Sequence, residues 1–347
     1  MSARSRLLIV DDSPFMRRAI ANLFSEDPAV EIVGEAANGL EALDAVEQLN
    51  PHVLTLDVNM PIMDGLTALK HLMIRSPRPT LMVSTLTKEG SAITFDALRY
   101  GAVDFVTKPS NLPGEDLERQ RQDLCHKVHL AAAMKVSAIQ YIRAQPKQKE
   151  IHRETPQQVV LLGAAEGGYH ALLRILPQLR VDAASQTAYF AMLYAEPEHV
   201  RAFARYLDRY SAVQVVEAQD GQSVESGVCY LSSGEHYVTF LPESSGDLRL
   251  HVTNAPFPWR RGSIDRLLFS AAEVLGSRAI ALLLTGSGED GAEGLVEIAY
   301  AGGMVLLQDP ETCLDKEMVQ HALTLGEPDW LLVPSADLGE TINELTQ

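Results

Sequence analysis

Three aspartates, a serine and a lysine stand in the first third of the chain at points where short apolar runs end. Asp11 and Asp12 follow the run 7–10, Asp57 follows 53–56, Ser84 follows 80–83, and Lys108 with Pro109 follows 103–107. If those runs are parallel strands of one sheet, all five side chains reach the same edge. Carboxylates gathered in a shallow cleft repel one another, and a hard divalent cation with oxygen ligands is the natural remedy. With Mg²⁺ bound, one carboxylate is left as a nucleophile toward a phosphoryl group. Lys108 then offers a point charge to the incoming phosphoryl oxygens, and the Ser84 hydroxyl a hydrogen bond. Singly, each aspartate reads as a loop cap; the set reads as a phosphoryl-accepting site.

The runs that carry these residues alternate with helical patterns. Strands are expected at 7–10, 30–33, 53–56, 80–83 and 103–107. Between them apolar residues recur three and four apart, as in Phe15, Met16, Ile20 and Leu23, or Leu40, Leu43, Val46 and Leu49. Five such alternations predict a doubly wound parallel sheet whose functional residues lie beyond the carboxyl ends of its strands. A helical pattern from about 116 to 143 follows and fades into a polar, proline-punctuated stretch at 144–156 that reads as a linker. A second series starts at Val159, with strands expected at 159–162, 188–193, 213–216, 228–231, 280–284 and 304–307. The fold class is therefore α/β, with two doubly wound parallel-sheet domains. The first, flavodoxin-like, takes residues 1–125; a linker helix and polar linker take 126–156; the second, Rossmann-type, takes 157–347.

The 347 residues, 46% hydrophobic and 22% charged, have the makeup of an ordinary globular protein. A net charge of −17 disfavours nucleic acid and anionic membrane surfaces as partners, since both demand a basic face. No apolar stretch approaches the ~20 residues that cross a bilayer, and the run 7–10 is too short for a signal peptide. Cys125, Cys229 and Cys313 are far apart and lack metal-ligand spacing, which suits a reducing compartment. A cytoplasmic protein without membrane insertion is expected.

The segments LLIVDDS, LDVNMPIMDGL, MVSTLT and GAVDFVTKP resemble those of receiver domains of two-component response regulators, in order and at compatible spacing over roughly residues 5 to 125. The resemblance implies Asp57 as phosphoacceptor. It implies Mg²⁺ held by Asp11, Asp12, Asp57 and the backbone carbonyl of Asn59. Ser84 and Lys108 become the switch hydroxyl and phosphate-binding lysine, and Phe105 the aromatic whose rotamer follows phosphorylation. A sensor histidine kinase of the CheA type is the implied phosphodonor.

In the second domain a strand runs into the turn Gly163-Ala164-Ala165-Glu166-Gly167-Gly168 and then a helix. Such a turn could cradle a phosphate, but its glycine spacing does not match a dinucleotide fingerprint. The segments LLGAAEGG, YAEPEHVRAFARYLD, AQDGQSVESGVCYLSSGEHYV, RRGSIDRLLFSAAE, LLLTGSGEDGAEGL and GGMVLLQDPETC resemble the C-terminal domain of the CheB family of chemotaxis protein-glutamate methylesterases over about 157 to 345. That family hydrolyses methyl esters of chemoreceptor glutamates, and deamidates glutamines, with a serine–histidine–aspartate triad. Here Ala165 stands at the serine position, Tyr194 at the histidine position, and Asp290 alone matches; Ser287 stands where the family has a methionine associated with the oxyanion site. Glu166 adds a charge that would repel an oxyanion. The resemblance thus implies a chemosensory response regulator acting on a chemoreceptor or another signalling protein by binding, through a methylesterase-like domain that has lost its triad. It also implies a receiver that covers the cleft until phosphorylation releases it. The alternative is an active protein-glutamate methylesterase and glutamine deamidase with a relocated nucleophile. For that, Ser287, Ser232, Ser233 and Ser263 are candidates, with His170, His199 or His236 as base.

Overall fold

A computed structural model of the chain describes residues 4–84, 90–108, 115–134, 154–180, 186–244, 246–256, 262–326 and 330–347, which fall into two compact units, one within 1–141 and the other within 142–347. Pro109 and most of the expected linker, 135–153, lie outside the described residues.

The first unit alternates β1 (Ser5–Val10), α1 (Pro14–Leu23), β2 (Val30–Ala36), α2 (Gly39–Leu49), β3 (Val53–Asp57), α3 (Gly65–Arg75), β4 (Thr80–Ser84), α4 (Gly90–Arg99), β5 (Asp104–Thr107) and α5 (Glu115–Ala133). Its five strands are all parallel, in the order β2-β1-β3-β4-β5. The chain reverses direction across the sheet between β1 and β3, so the crevice at a topological switch point opens at their carboxyl ends. Helix starts are locally encoded. Ser13 accepts from Met16 N–H ahead of Pro14, Asn38 accepts from Glu41 N–H while the Glu41 carboxylate accepts from Ala37 N–H, and Asp64 accepts from Thr67 N–H. Helices form over both expected periodicities, but Phe15 and Leu40 face solvent rather than the core. Helix α5 runs through residue 125 to Ala133 and buries Leu124, Val128 and Ala131 against this unit. Lys127 fastens it to β5, donating to the Phe105 carbonyl at 3.0 Å and lying 3.4 Å from the buried Asp104 carboxylate.

The second unit is built from β6 (Gln158–Ala164), α6 (Gly168–Ile175), β7 (Thr187–Leu193), α7 (Pro197–Asp208), β8 (Gln214–Glu217), β9 (Val228–Ser233), β10 (His236–Pro242), β11 (Leu248–Asn254), α8 (Ser263–Leu275), β12 (Ala279–Leu283), α9 (Ala292–Tyr300), β13 (Met304–Gln308), α10 (Glu317–Leu325), β14 (Leu331–Val333) and α11 (Leu338–Leu345). Seven parallel strands take the order β14-β13-β12-β6-β7-β9-β8. Its switch point lies between β6 and β12. The sequence reading lacked β14 and the antiparallel hairpin β10–β11. That hairpin is a separate two-stranded sheet whose Val238, Phe240, Leu248 and Leu250 are buried, with α8 packed on β10. Central strands are buried on both faces, which is why they read as continuous apolar runs. No helix among the described residues is long and apolar enough to cross a membrane.

Candidate functional site

The switch point of the first unit gathers what the strand ends deliver. Ligand oxygens of Asp11, Asp12 and Asp57 lie within 4.8 Å of one another. Asp11 and Asp57 are 0% and 2% exposed, so their charges are taken out of water, while Asp12 faces solvent. Lys108 Nζ stands 2.9 Å from Asp11 Oδ2 and 2.8 Å from Asp57 Oδ2. Burial holds the Asp57 carboxyl above its ordinary value, although Lys108 and the Asn59 main-chain N–H pull it down. Burial lowers the Lys108 ammonium, but hydrogen bonds and charge from Asp57 and Asp11 carry it above its ordinary value. One ammonium, shared by Asp11 and Asp57, against three carboxylates leaves the cleft negative, and an all-oxygen donor set of this kind fits Mg²⁺. Gly65 lets α3 start close to β3, since a Cβ there would stand 1.9 Å from the Asp57 carbonyl oxygen.

The other residues expected here sit around that core. Ser84 is buried at the end of β4, and its carbonyl accepts from Lys108 N–H at 3.0 Å, tying the lysine's backbone to the strand edge. Phe105 is buried in β5, its ring 5.9 Å from Lys127 Nζ. Asn59 reaches the cleft through its main chain. The loop between β3 and α3 turns on Ile62, an exposed β-branched residue at φ 68°, with Met63 N–H donating to the Pro61 carbonyl.

In the second unit, Ala165, Tyr194 and Asp290 all stand at the carboxyl edge of the sheet. Ala165 is buried in the turn between β6 and α6, where its N–H donates to Thr285. The Tyr194 N–H, just past β7, donates to the Ala164 carbonyl at 3.0 Å. The Tyr194 hydroxyl donates to Asp290 Oδ2 at 2.6 Å and accepts from Gly262 N–H at 2.9 Å and Ser263 N–H at 3.1 Å. Asp290 accepts in turn from Ile264 N–H at 3.0 Å and Asp265 N–H at 2.9 Å. Phenol and carboxylate together thus satisfy four main-chain N–H groups at the start of α8. The helix has no side-chain cap of its own, and the carboxylate lies at the positive end of its dipole. Asp290, the one residue of the implied triad that matches, thus caps the start of α8. Burial and the Asp290 charge push the Tyr194 phenol well above its ordinary range. Gly234 makes room for the ring, because a Cβ there would stand 2.3 Å from Tyr194 Cδ1.

The candidate relocated nucleophiles are engaged otherwise. Ser233 Oγ donates to the Ala195 carbonyl at 2.5 Å and Ser263 Oγ to the Gly234 carbonyl at 2.6 Å; Ser232 Oγ makes a long contact to the Ser233 carbonyl. Ser287 differs. Its N–H and hydroxyl both donate to Glu166 Oε2, at 2.8 and 2.9 Å. In none of these bonds is the acceptor a histidine. His170 lies on α6, His236 on β10, and His199 in the first turn of α7, 3.7 Å from Glu196. Sequence reasoning missed Asp265, which sits beside Asp290 and accepts from Gly294 N–H in the first turn of α9 at 2.7 Å. Burial lifts its carboxyl to about 7, the Gly294 bond opposing and the Asp290 charge adding. The only sequence signal was its place in a helix's first turn.

The family model for the CheB methylesterase matches residues 160–342, and that for the response regulator receiver domain matches 7–115. A Pyrococcus horikoshii protein named protein-glutamate methylesterase/protein-glutamine glutaminase is 34% identical over 348 residues, covering 99% of this chain and 94% of that protein. One of the same name from Rhizobium etli is 38% identical, covering 100% and 98%. The crystal structure of the Thermotoga maritima CheB methylesterase catalytic domain, 28% identical, covers 54% of this chain and 98% of its own with a TM-score of 0.50.

Proposed function

This chain belongs to the CheB methylesterase family and carries a response regulator receiver domain, and on that premise we propose that it is a phosphorylation-switched chemosensory regulator whose second domain acts by binding rather than by hydrolysis. In the first unit, Asp11, Asp12, Asp57 and the Asn59 main chain would hold Mg²⁺, which when bound neutralises phosphoryl charge. The Asp57 carboxylate attacks phosphorus on the phosphohistidine of a CheA-type kinase, the P–N bond breaks, and the histidine takes back its electron pair. Lys108 and the Ser84 hydroxyl hold the transferred oxygens. The protein would work in the cytoplasm, with a chemoreceptor or another chemosensory protein as target.

The observation that carries the binding reading is the Tyr194–Asp290 pair. Both lone pairs of the tyrosine oxygen are engaged by main-chain N–H groups and its proton is held by Asp290. It has no basicity to spare for a nucleophile, and Ala165 offers none. Loss of a triad serine or histidine costs on the order of 10⁶ in turnover, leaving a residue of roughly 10³ to 10⁴ over water.

A second reading has support of its own. The curated relatives carry the name of the hydrolytic activity, and that weighs toward an active methylesterase/glutaminase. The contact of the Ser287 hydroxyl with Glu166 supplies a serine on a carboxylate. Glu166 would take the Ser287 proton as its oxygen attacks the ester carbonyl, methanol would leave, and water would then cleave the acyl-enzyme. Carboxylates as a class, with pKa near ~4.3, are weak bases for this step. Methanol release from methylated chemoreceptor decides between the readings, measured with Mg²⁺ and a phosphodonor. Release at background is expected; release that disappears in Ser287→Ala would establish the second reading and overturn the first.

A further inference from the structure

The outer faces of α8 and α9 form a groove that lies apart from the strand-end cleft. Phe269, Ala272 and Glu273 of α8, Glu297 and Tyr300 of α9 and its C-cap Ala301 line it, around a volume of about 610 Å³. Each helix brings an aromatic ring, an alanine and a glutamate at three- and four-residue spacing, hence on one face. The opposite faces, with Leu267, Leu268, Ala271, Leu295 and Ile298, are already spent on the core. Phe269 is 38% exposed and Tyr300 77%. A single exposed aromatic needs no explanation, but two on a shared groove mark a place where something packs.

The charges say what kind of thing. Among the described residues neither Glu273 nor Glu297 makes an ion pair. Arg278 commits its guanidinium to the Val274 and Leu275 carbonyls, and Arg266, a turn before Phe269, does not line the groove. We propose that this groove binds a basic, arginine-bearing segment of a partner protein. The guanidinium lies between the two carboxylates and stacks on Tyr300, while the apolar neighbours of the arginine lie along Phe269 and the two alanines. Arginine suits the site better than lysine, because its planar group stacks on an aromatic face while it pairs with carboxylates. The net charge of −17 draws such a segment in from solution.

The test uses the full chain and a fluorescein-labelled peptide of Leu-Arg-Ala repeats, with a Leu-Glu-Ala peptide as its counterpart, read by fluorescence anisotropy. The basic peptide is expected to bind and the acidic one not to, with affinity falling as salt rises. Glu273→Lys with Glu297→Lys weakens binding roughly ten-fold or more. Tyr300→Ala weakens it about five-fold, and Glu344→Lys, on α11, leaves it unchanged. Equal loss in the Glu344→Lys control would mean that only overall charge is being read, and the proposal fails. It fails equally if the doubly reversed protein binds as the wild type does. Sedimentation gives the remaining outcome: a wild-type dimer that the double reversal dissociates would make a second copy of the chain the occupant, which also overturns it.

Discussion

Tyr194 is the residue whose role in the fold is best defined by its bonds. Its hydroxyl gives one hydrogen bond to Asp290 and takes two from the start of α8. Tyr194→Phe removes all three while keeping the ring, leaving partly buried N–H groups and one carboxylate oxygen short of partners. A loss of about 1–3 kcal/mol in unfolding free energy is expected, read from urea denaturation. Asp57 has a chemical test: Asp57→Asn should abolish labelling by acetyl phosphate, seen by intact mass, and labelling that persists would move the phosphoacceptor elsewhere. These two residues also mark how far the sequence could be read. Asp57, Asp11, Asp12 and Lys108 were legible because each follows an apolar run, and a parallel sheet has to deliver such residues to one edge. The hydroxyl of Tyr194 was not. Its partner lies 96 residues away, and nothing in local pattern announces a hydrogen bond across that span. The Glu166–Ser287 contact escaped for the same reason, although Glu166 was visible as a charge in an unusual place.

At the scale of elements, α8 and α9 hold each other's first turns. Asp290, just ahead of α9, caps α8, while Asp265 in the first turn of α8 accepts from the first turn of α9. The Asp265 carboxyl at about 7 in the folded chain lies above its value of 3.8 in the absence of that environment. The folded state therefore holds this proton more tightly than the unfolded chain. The group adds stability as pH falls from about 7 toward 3.8, and the addition is lost as pH rises through about 7. Asp265→Asn should flatten that slope and gain about 2 kcal/mol over wild type at pH ~8, after allowance for the part of the side chain that stays in water. Urea midpoints across that range check it. The loop between β3 and α3 offers a second case. Ile62 is a β-branched residue held at φ 68° with its side chain in solvent, so Ile62→Asn should raise stability by roughly 0.5–1 kcal/mol, read from the thermal midpoint. The strands of both main sheets, β14 excepted, were legible as apolar runs. The β10–β11 hairpin carries its apolar residues in alternation, at Val238 and Phe240 and at Leu248 and Leu250, rather than as the continuous runs that marked the other strands, and three-residue β14 is too short to carry a period.

For the molecule as a whole, a metal ion held in the acidic cleft would couple folding to its supply. Binding to the native state alone stabilises by mass action, about 2.7 kcal/mol at a hundred-fold excess over Kd. Mg²⁺ should therefore raise the melting temperature of the wild type and not that of Asp11→Ala with Asp12→Ala. An equal rise in both would place the metal elsewhere. The cap on α8 has a consequence on another timescale, that of descent. A lineage that abandons hydrolysis is free to exchange a serine for alanine and a histidine for tyrosine, since neither exchange need unfold the protein. Asp290 is under a separate constraint, because the start of α8 hangs on that carboxylate. Selection for a folded chain alone would preserve it indefinitely. In a chain without the other two triad residues, an aspartate at this position is accounted for by architecture alone and is not by itself a sign of chemistry.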